Sequence, residues 1–202
     1  MAFTYFFRDL QPLEAAVDQL VASSMGHKSV RVWDAGCAMG PEPYTIAMLL
    51  AERLGEFSYR NLRIFGTDID GSDLFEKIIS DGIYPREQVE RIPRDIFEKY
   101  FEDVGDDNYR LVHKIRSRVS FQKHDLLSLE PVGHDFNLIV CKNVLLHFSP
   151  QQRVEVIRMF HSALADGGLF VTEQTQKMPD ELAACFEQVT GNVQLFRKVA
   201  RP

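Results

Sequence analysis

The sequence is short of several features, and each shortage removes a class of function. Only three cysteines occur, Cys37, Cys141 and Cys185. An odd number at irregular spacing fits neither a disulfide framework nor a zinc site, so a reducing, cytoplasmic setting is expected. No apolar run approaches the length of a membrane span, so direct membrane insertion is not expected. The N-terminal stretch MAFTYFFRDLQ carries Arg8 and Asp9 within its apolar segment, which leaves no signal-peptide core. Basic charge is in deficit as well. Twenty-three Lys and Arg against 29 Asp and Glu give a net charge of −6. Nucleic acid is therefore not an expected partner, because phosphate neutralisation needs a basic surface. The chain also lacks a Walker-type Gly-Lys-Ser/Thr and the central glycine of a GxGxxG fingerprint.

What remains is a globular composition. The 202 residues, 45% hydrophobic and 26% charged, suit one domain with a sizeable core. Short apolar strands alternate with helical patterns. Residues 10–22 place Leu10, Leu13, Val17 and Leu20 on one helical face. Residues 29–34 (SVRVWD) read as a buried strand, 41–54 as a helix with prolines in its first turn, 62–67 as a second strand and 72–80 as a helix. Residues 82–121 read as a small α+β insertion. It has a turn at Gly82–Pro85, a helix near 94–101 and a hairpin pairing 109–115 with 118–121 about Arg116-Ser117. Alternation resumes with a strand at 136–141, an amphipathic helix at 150–164, a turn at 165–168 and late strands at 169–173 and 193–199. The pattern predicts an α/β fold, a mostly parallel sheet with helices on both faces. Ligands of such sheets sit at the carboxyl ends of the strands, beside the switch point.

Three acidic or glycine-bearing loops fall at those ends. The first strand runs into Asp34-Ala35-Gly36-Cys37-Ala38-Met39-Gly40, where two glycines bracket a tight turn and allow close backbone approach. Asp68 ends the second strand, where a carboxylate can accept both hydroxyls of a ribose. Asp125-Leu126 follows the strand-like 119–121, in position to read an adenine edge. Each acid alone is an ordinary loop residue; the three together describe an adenosyl slot.

The residues also resemble the CheR-type chemotaxis protein-glutamate methyltransferases. Thr4-Tyr5-Phe6-Phe7-Arg8-Asp9 is similar to that family's Thr-x-Phe-Phe-Arg-Asp opening. Trp33-Asp34-Ala35-Gly36-Cys37-Ala38-Met39-Gly40-Pro41-Glu42-Pro43-Tyr44 resembles its Trp-Ser-Ala-Gly-Cys-Ser-Thr-Gly-Glu-Glu-Pro-Tyr segment. Thr67-Asp68-Ile69-Asp70, Gly82-Ile83-Tyr84 and Lys99-Tyr100-Phe101 stand in family order, and Cys141-Lys142-Asn143-Val144-Leu145-Leu146-His147-Phe148 resembles Cys-Arg-Asn-Val-Leu-Ile-Tyr-Phe.

The resemblance implies a Rossmann-like class I fold that binds S-adenosylmethionine (SAM) and releases S-adenosylhomocysteine. It implies that residues 1–202 form the catalytic domain, without the family's N-terminal helical domain, and that 82–121 is the family's small β-subdomain. Its cofactor residues would be Thr4, Arg8, Ala35, Gly36, Cys37, Glu42, Asp68, Ile69, Asp125, Leu126, Cys141 and Lys142, with no metal. The acceptor would be a protein glutamate, such as one in a chemoreceptor cytoplasmic domain. A different protein or small-molecule acceptor, or a SAM-binding module without turnover, stays open. Arg8 and His147 are the candidate catalytic residues. Arg8 offers a planar donor fork to a carboxylate. His147 stands where the family carries Tyr. It serves either as a hydrogen-bond donor or as a proton acceptor for a hydroxyl or amine substrate. Glu173-Gln174-Thr175-Gln176 replaces the family's Gly-His-Ser-Glu.

Overall fold

The strand VRVWDA is apolar on both sides of its pleat, and in the computed structural model it lies in the middle of the sheet, buried at every position but Arg31. The structure describes residues 4–23 and 29–199, so the first three residues of the N-terminal stretch lie outside the description. Helix α1 (Leu10–Ser23) precedes this strand, β1 (Val30–Ala35). Then come α2 (Pro41–Arg53), α3 (Glu56–Arg60), β2 (Leu62–Asp68) and α4 (Phe75–Asp81). The intervening segment holds β3 (Ile83–Pro85), α5 (Arg86–Val89), α6 (Arg94–Tyr100), β4 (Phe101–Gly105), β5 (Asn108–Leu111) and α7 (His113–Arg116). The remainder is β6 (Val119–Lys123), β7 (Phe136–Cys141), α8 (Pro150–Ala163), β8 (Leu164–Thr172), β9 (Phe186–Gln188) and β10 (Leu195–Lys198).

Seven strands form one sheet in the order β6-β2-β1-β7-β8-β10-β9. The pairs from β6 to β8 are parallel, and β10 runs antiparallel to both its neighbours. The chain leaves β1 for β2 on one side and later reaches β7 on the other, which makes the carboxyl end of β1 the switch point of a Rossmann-like sheet. Alternation of side chains along the strands divides the core in two. Val30, Val32, Ile64, Leu138 and Val140 pack with α1 and α2, whereas Trp33, Ile139 and Phe170 pack with α8.

Local chemistry sets the element ends. Ser149 and Gln152 form a reciprocal capping box at the start of α8. Helix α4 begins at Phe75 and not at the expected residue 72, because the Asp70 carboxylate accepts the Ser72 hydroxyl and the Leu74 and Phe75 amides and holds 70–74 as a loop. The same helix stops at Gly82, whose φ of 60° and N–H to the Ile78 carbonyl form a left-handed cap.

Two expectations are corrected. The hairpin pairs β4 with β5 across Asp106-Asp107, both of positive φ, and β3 joins it in a separate three-stranded sheet. Residues 119–121 are not part of it, because β6 pairs in parallel with β2 at the edge of the main sheet. Alternation in 109–121 reads the same in either pairing, and only the partner strand distinguishes them. The turn expected at 165–168 is an irregularity within β8. Phe136 pairs with Leu164 and Leu138 with Leu169, so the strand carries extra residues there without leaving the sheet.

The three-stranded sheet buttresses the main one. The Phe6 ring packs edge-on against Tyr84 of β3 and Phe101 of β4, with centroids 4.9 and 5.6 Å away. The Tyr84 hydroxyl donates to the Met39 carbonyl at 2.8 Å, in the loop after β1. Phe160 fills the opposite core, 5.1 Å from the Trp33 ring and 5.6 Å from Phe170. Phe160→Ala is expected to cost about 3–5 kcal/mol through lost packing and a residual cavity. Urea unfolding followed by the emission of Trp33, the chain's one tryptophan, measures it.

Candidate functional site

A cleft of about 580 Å³ opens over the carboxyl ends of β1, β2, β6 and β7. Its floor begins where β1 ends. The Gly36 and Cys37 amides both donate to the Thr67 carbonyl, at 2.7 and 3.0 Å, which folds the loop after β1 across the end of β2. Trp33 Nε1 donates to the Thr67 hydroxyl at 2.9 Å from below. Gly36 has φ +94°, and a Cβ there would overlap the Val144 methyl. Glycine is thus required twice, by backbone conformation and by space. Ala38, also at positive φ, gives its amide to Asp68 Oδ2 at 2.9 Å, and Asp68 Oδ1 accepts the Asp70 amide at 3.3 Å. Asp68 keeps partial exposure on the cleft wall. Across from it, Asp125 caps a short 3₁₀ turn by accepting the Leu127 amide with one oxygen at 2.9 Å.

The other end of the cleft is a charge cluster. Lys142 Nζ, almost fully buried, pairs with Glu42 Oε2 at 2.8 Å and donates to the Arg8 carbonyl at 3.2 Å. Behind Glu42 lies Asp34, with no exposed surface. Neither Asp34 oxygen has a hydrogen-bond partner among the described residues, and Glu42 is the like charge that acts on it most. A carboxyl buried without a donor is costly to ionise, which favours its protonated form. Burial first, then the Glu42 charge, push the Asp34 carboxyl well above the usual carboxylate range, with Lys142 opposing. Burial likewise raises the thiols of Cys37 and Cys141, which leaves them as inert packing groups.

The segment at 4–9 brings in Arg8. Phe6 anchors it, the Phe7 amide donates to the Thr45 hydroxyl at 3.1 Å, and the Arg8 guanidinium reaches Asp9 at 3.5 Å while remaining partly exposed at the cleft. His147 lies exposed on the cleft rim between Leu146 and Phe148.

Residues 2–195 match the model of the CheR methyltransferase SAM-binding domain. The chain belongs to the CheR methyltransferase family. S-adenosylmethionine is accordingly the cofactor that the site is built for. Chemotaxis protein methyltransferase 2 of Vibrio cholerae is 28% identical over 201 residues, covering 96% of this chain and 67% of that protein. The Borreliella burgdorferi chemotaxis protein methyltransferase is 32% identical over 170 residues, covering 80% of this chain and 59% of that one. The chain thus spans about two thirds or less of these relatives. Among solved structures, the rRNA methyltransferase aviRa of Streptomyces viridochromogenes shares the fold, with a TM-score of 0.58 at 13% identity, covering 97% of this chain and 86% of that one.

Of the residues that the CheR resemblance singles out, Thr4, Arg8, Gly36, Glu42, Asp68, Ile69, Asp125, Leu126, Lys142 and His147 all line the one cleft. Ala35, Cys37 and Cys141 do not. Their side chains lie in the core, with Cys37 near Gly66 and the other two on the α8 side. These three side chains support the floor of the site, Ala35 and Cys141 at the ends of β1 and β7 and Cys37 in the loop that follows β1. Sequence reading missed Ala38, Thr67, His124, Asn143 and Val144, which also line it. It missed Glu173 too. From the end of β8, Glu173 Oε2 accepts the Thr172 hydroxyl at 2.7 Å and the Asn143 amide at 3.0 Å, fixing Asn143 at φ 59°. The acid at 173 was visible only as a departure from the family's motif.

Gly36→Ala is expected to lose roughly 1–3 kcal/mol of stability through overpacking. Adding Val144→Ala should restore part of it, leaving the cost of the backbone; denaturant midpoints of both variants measure this. For Asp34, the folded state holds a proton that the unfolded chain loses above about pH 3.9. Stability from this group is therefore full below that pH and is lost as pH rises toward the raised folded value. Asp34→Asn should remove this fall, so that urea midpoints compared between mildly acidic and mildly alkaline buffer drop for the native protein more than for the variant.

Proposed function

We propose that the chain is a SAM-dependent methyltransferase that esterifies glutamate side chains of a protein, with a chemoreceptor cytoplasmic domain as the fitting partner and the cytoplasm as its place of action. The reading is supported above all by the charge balance of the cleft. Its deep lysine is already paired with Glu42, and Asp68 and Asp125 face the same space. Such a slot suits a cationic ligand without phosphates, which describes an adenosyl sulfonium.

On this reading residues 1–202 act as the catalytic domain. Asp68 holds the ribose hydroxyls, Asp125 and Leu126 frame the adenine, and Ile69, largely exposed on the rim, covers it. Gly36 permits close approach of the backbone. Thr4, Arg8, Glu42 and Lys142 surround the amino-acid end. When bound, the cofactor supplies a methyl group on positively charged sulfur, already a strong electrophile. A glutamate acceptor, with a reference pKa near ~4.3, arrives ionised at neutral pH and needs no general base. The task left to the protein is alignment, which supplies roughly 7–11 kcal/mol in well-oriented systems. Arg8 holds the incoming carboxylate through its donor fork, and His147 on the rim donates a hydrogen bond to it. Among the described residues no helix is long and apolar enough to cross a membrane, in keeping with an acceptor reached from the aqueous side.

Transfer of labelled methyl into receptor protein, followed by release of volatile methanol in base, is the expected outcome. Label that survives base would move the acceptor to nitrogen or an ether oxygen, and would assign His147 a proton-accepting role. Arg8→Ala should lower kcat/KM by about tenfold or more while the fold persists, the loss expected for a charge-assisted hydrogen bond. Unaltered kinetics in that variant would remove Arg8 from the reaction.

A further inference from the structure

A buried acid that keeps its proton in the free protein stands directly behind the residue assigned to the cofactor's amino-acid end. We propose that the proton on buried, unpartnered Asp34 is a binding-linked proton, released to solvent when the cofactor's α-ammonium group settles against Glu42. This rests on the cofactor reading given above, and names a role for a residue which that reading leaves unused.

The geometry carries the argument. Asp34 is buried with no partner for either oxygen, while Glu42, whose charge bears on it, lines the cleft and pairs with Lys142 at 2.8 Å. Every element packed around the pair contributes to its balance. Lys142, after β7, is the cation facing it, held by Glu42 Oε2 and the Arg8 carbonyl. Asp68 at the end of β2 adds a like charge. Cys37 and Cys141 face it as neutral thiols. Glu173 is spent on Thr172 and Asn143. Two carboxyls against one lysine therefore retain a proton. A second fixed positive charge at Glu42 supplies what full ionisation lacks, because a nearby opposite charge favours the charged form of an acid. The balance is simple: the Asp34 O–H bond breaks, the proton passes to buffer, and two carboxylates face two ammonium groups.

The test is calorimetric titration of the full chain with S-adenosylhomocysteine, which keeps the α-ammonium and does not turn over. It is run in buffers of different ionisation enthalpy, below the α-amine range of about 7.7–8.0. The native protein is expected to show a buffer-dependent heat corresponding to release of up to one proton per site. Asp34→Asn and Asp34→Ser should bind while losing that dependence, and any contribution from other groups remains in both and cancels in the comparison. Binding by the native protein without buffer dependence, or the same dependence in both variants, overturns the proposal and leaves the cofactor reading intact. No saturable heat from the native protein overturns the cofactor reading and the proposal with it.

Discussion

Two amide groups on one carbonyl organise this molecule. By donating to the Thr67 oxygen together, Gly36 and Cys37 bind the loop after β1 to the end of β2, and the remaining cleft walls are placed relative to that junction. The bond pattern forces Gly36 to positive φ and brings its Cα against Val144, so the loop after β7 closes over the same point. Ala38 then turns toward Asp68, and its amide fixes the carboxylate that the slot presents. A buried carbonyl with two donors is a rigid anchor, since releasing either would leave a polar group unsatisfied in the interior.

The three-stranded sheet shares in building the site from a distance. Through Tyr84 it supports Met39 in the loop after β1, and through Tyr84 and Phe101 it holds Phe6. The segment at 4–9 has few means of its own to stay in place. Its anchoring ring lies two residues from Arg8, whose guanidinium reaches the cleft and whose carbonyl accepts from the Lys142 ammonium. An element inserted between α4 and β6 thereby positions residues 4–9.

Charge in the cleft is arranged in depth. The outer acids, Asp68 and Asp125, spend part of their hydrogen-bonding capacity on backbone amides and keep part toward the opening. Deeper in, Glu42 is paired with Lys142, and Asp34 is buried without a donor, which favours its neutral form. A burial cost that would be prohibitive for two lone carboxylates becomes tolerable when a single charge is left to pair.

The sequence by itself determined the strand–helix alternation, the parallel sheet and the loops that carry the site, because side-chain period and glycine or proline placement act locally. Gly36, Asp68 and Asp125 were legible for the same reason, each lying at the end of a strand that the pattern already marked, whereas Glu42 and Lys142 were singled out only through the CheR resemblance. The partner of a strand is not local information. Residues 118–121 alternate equally well in a hairpin and at a sheet edge, and only packing against β2 chose the edge. Whether Ala35, Cys37 and Cys141 face the cleft or the core was likewise decided by the fold, for Ala35 and Cys141 by the pleat of β1 and β7 and for Cys37 by the turn after β1. The same holds for Glu173, whose importance comes from a group distant in the chain, a backbone amide from the loop after β7. Contacts between remote residues are properties of the assembled fold, since the energy that selects them appears only when both surfaces have left water.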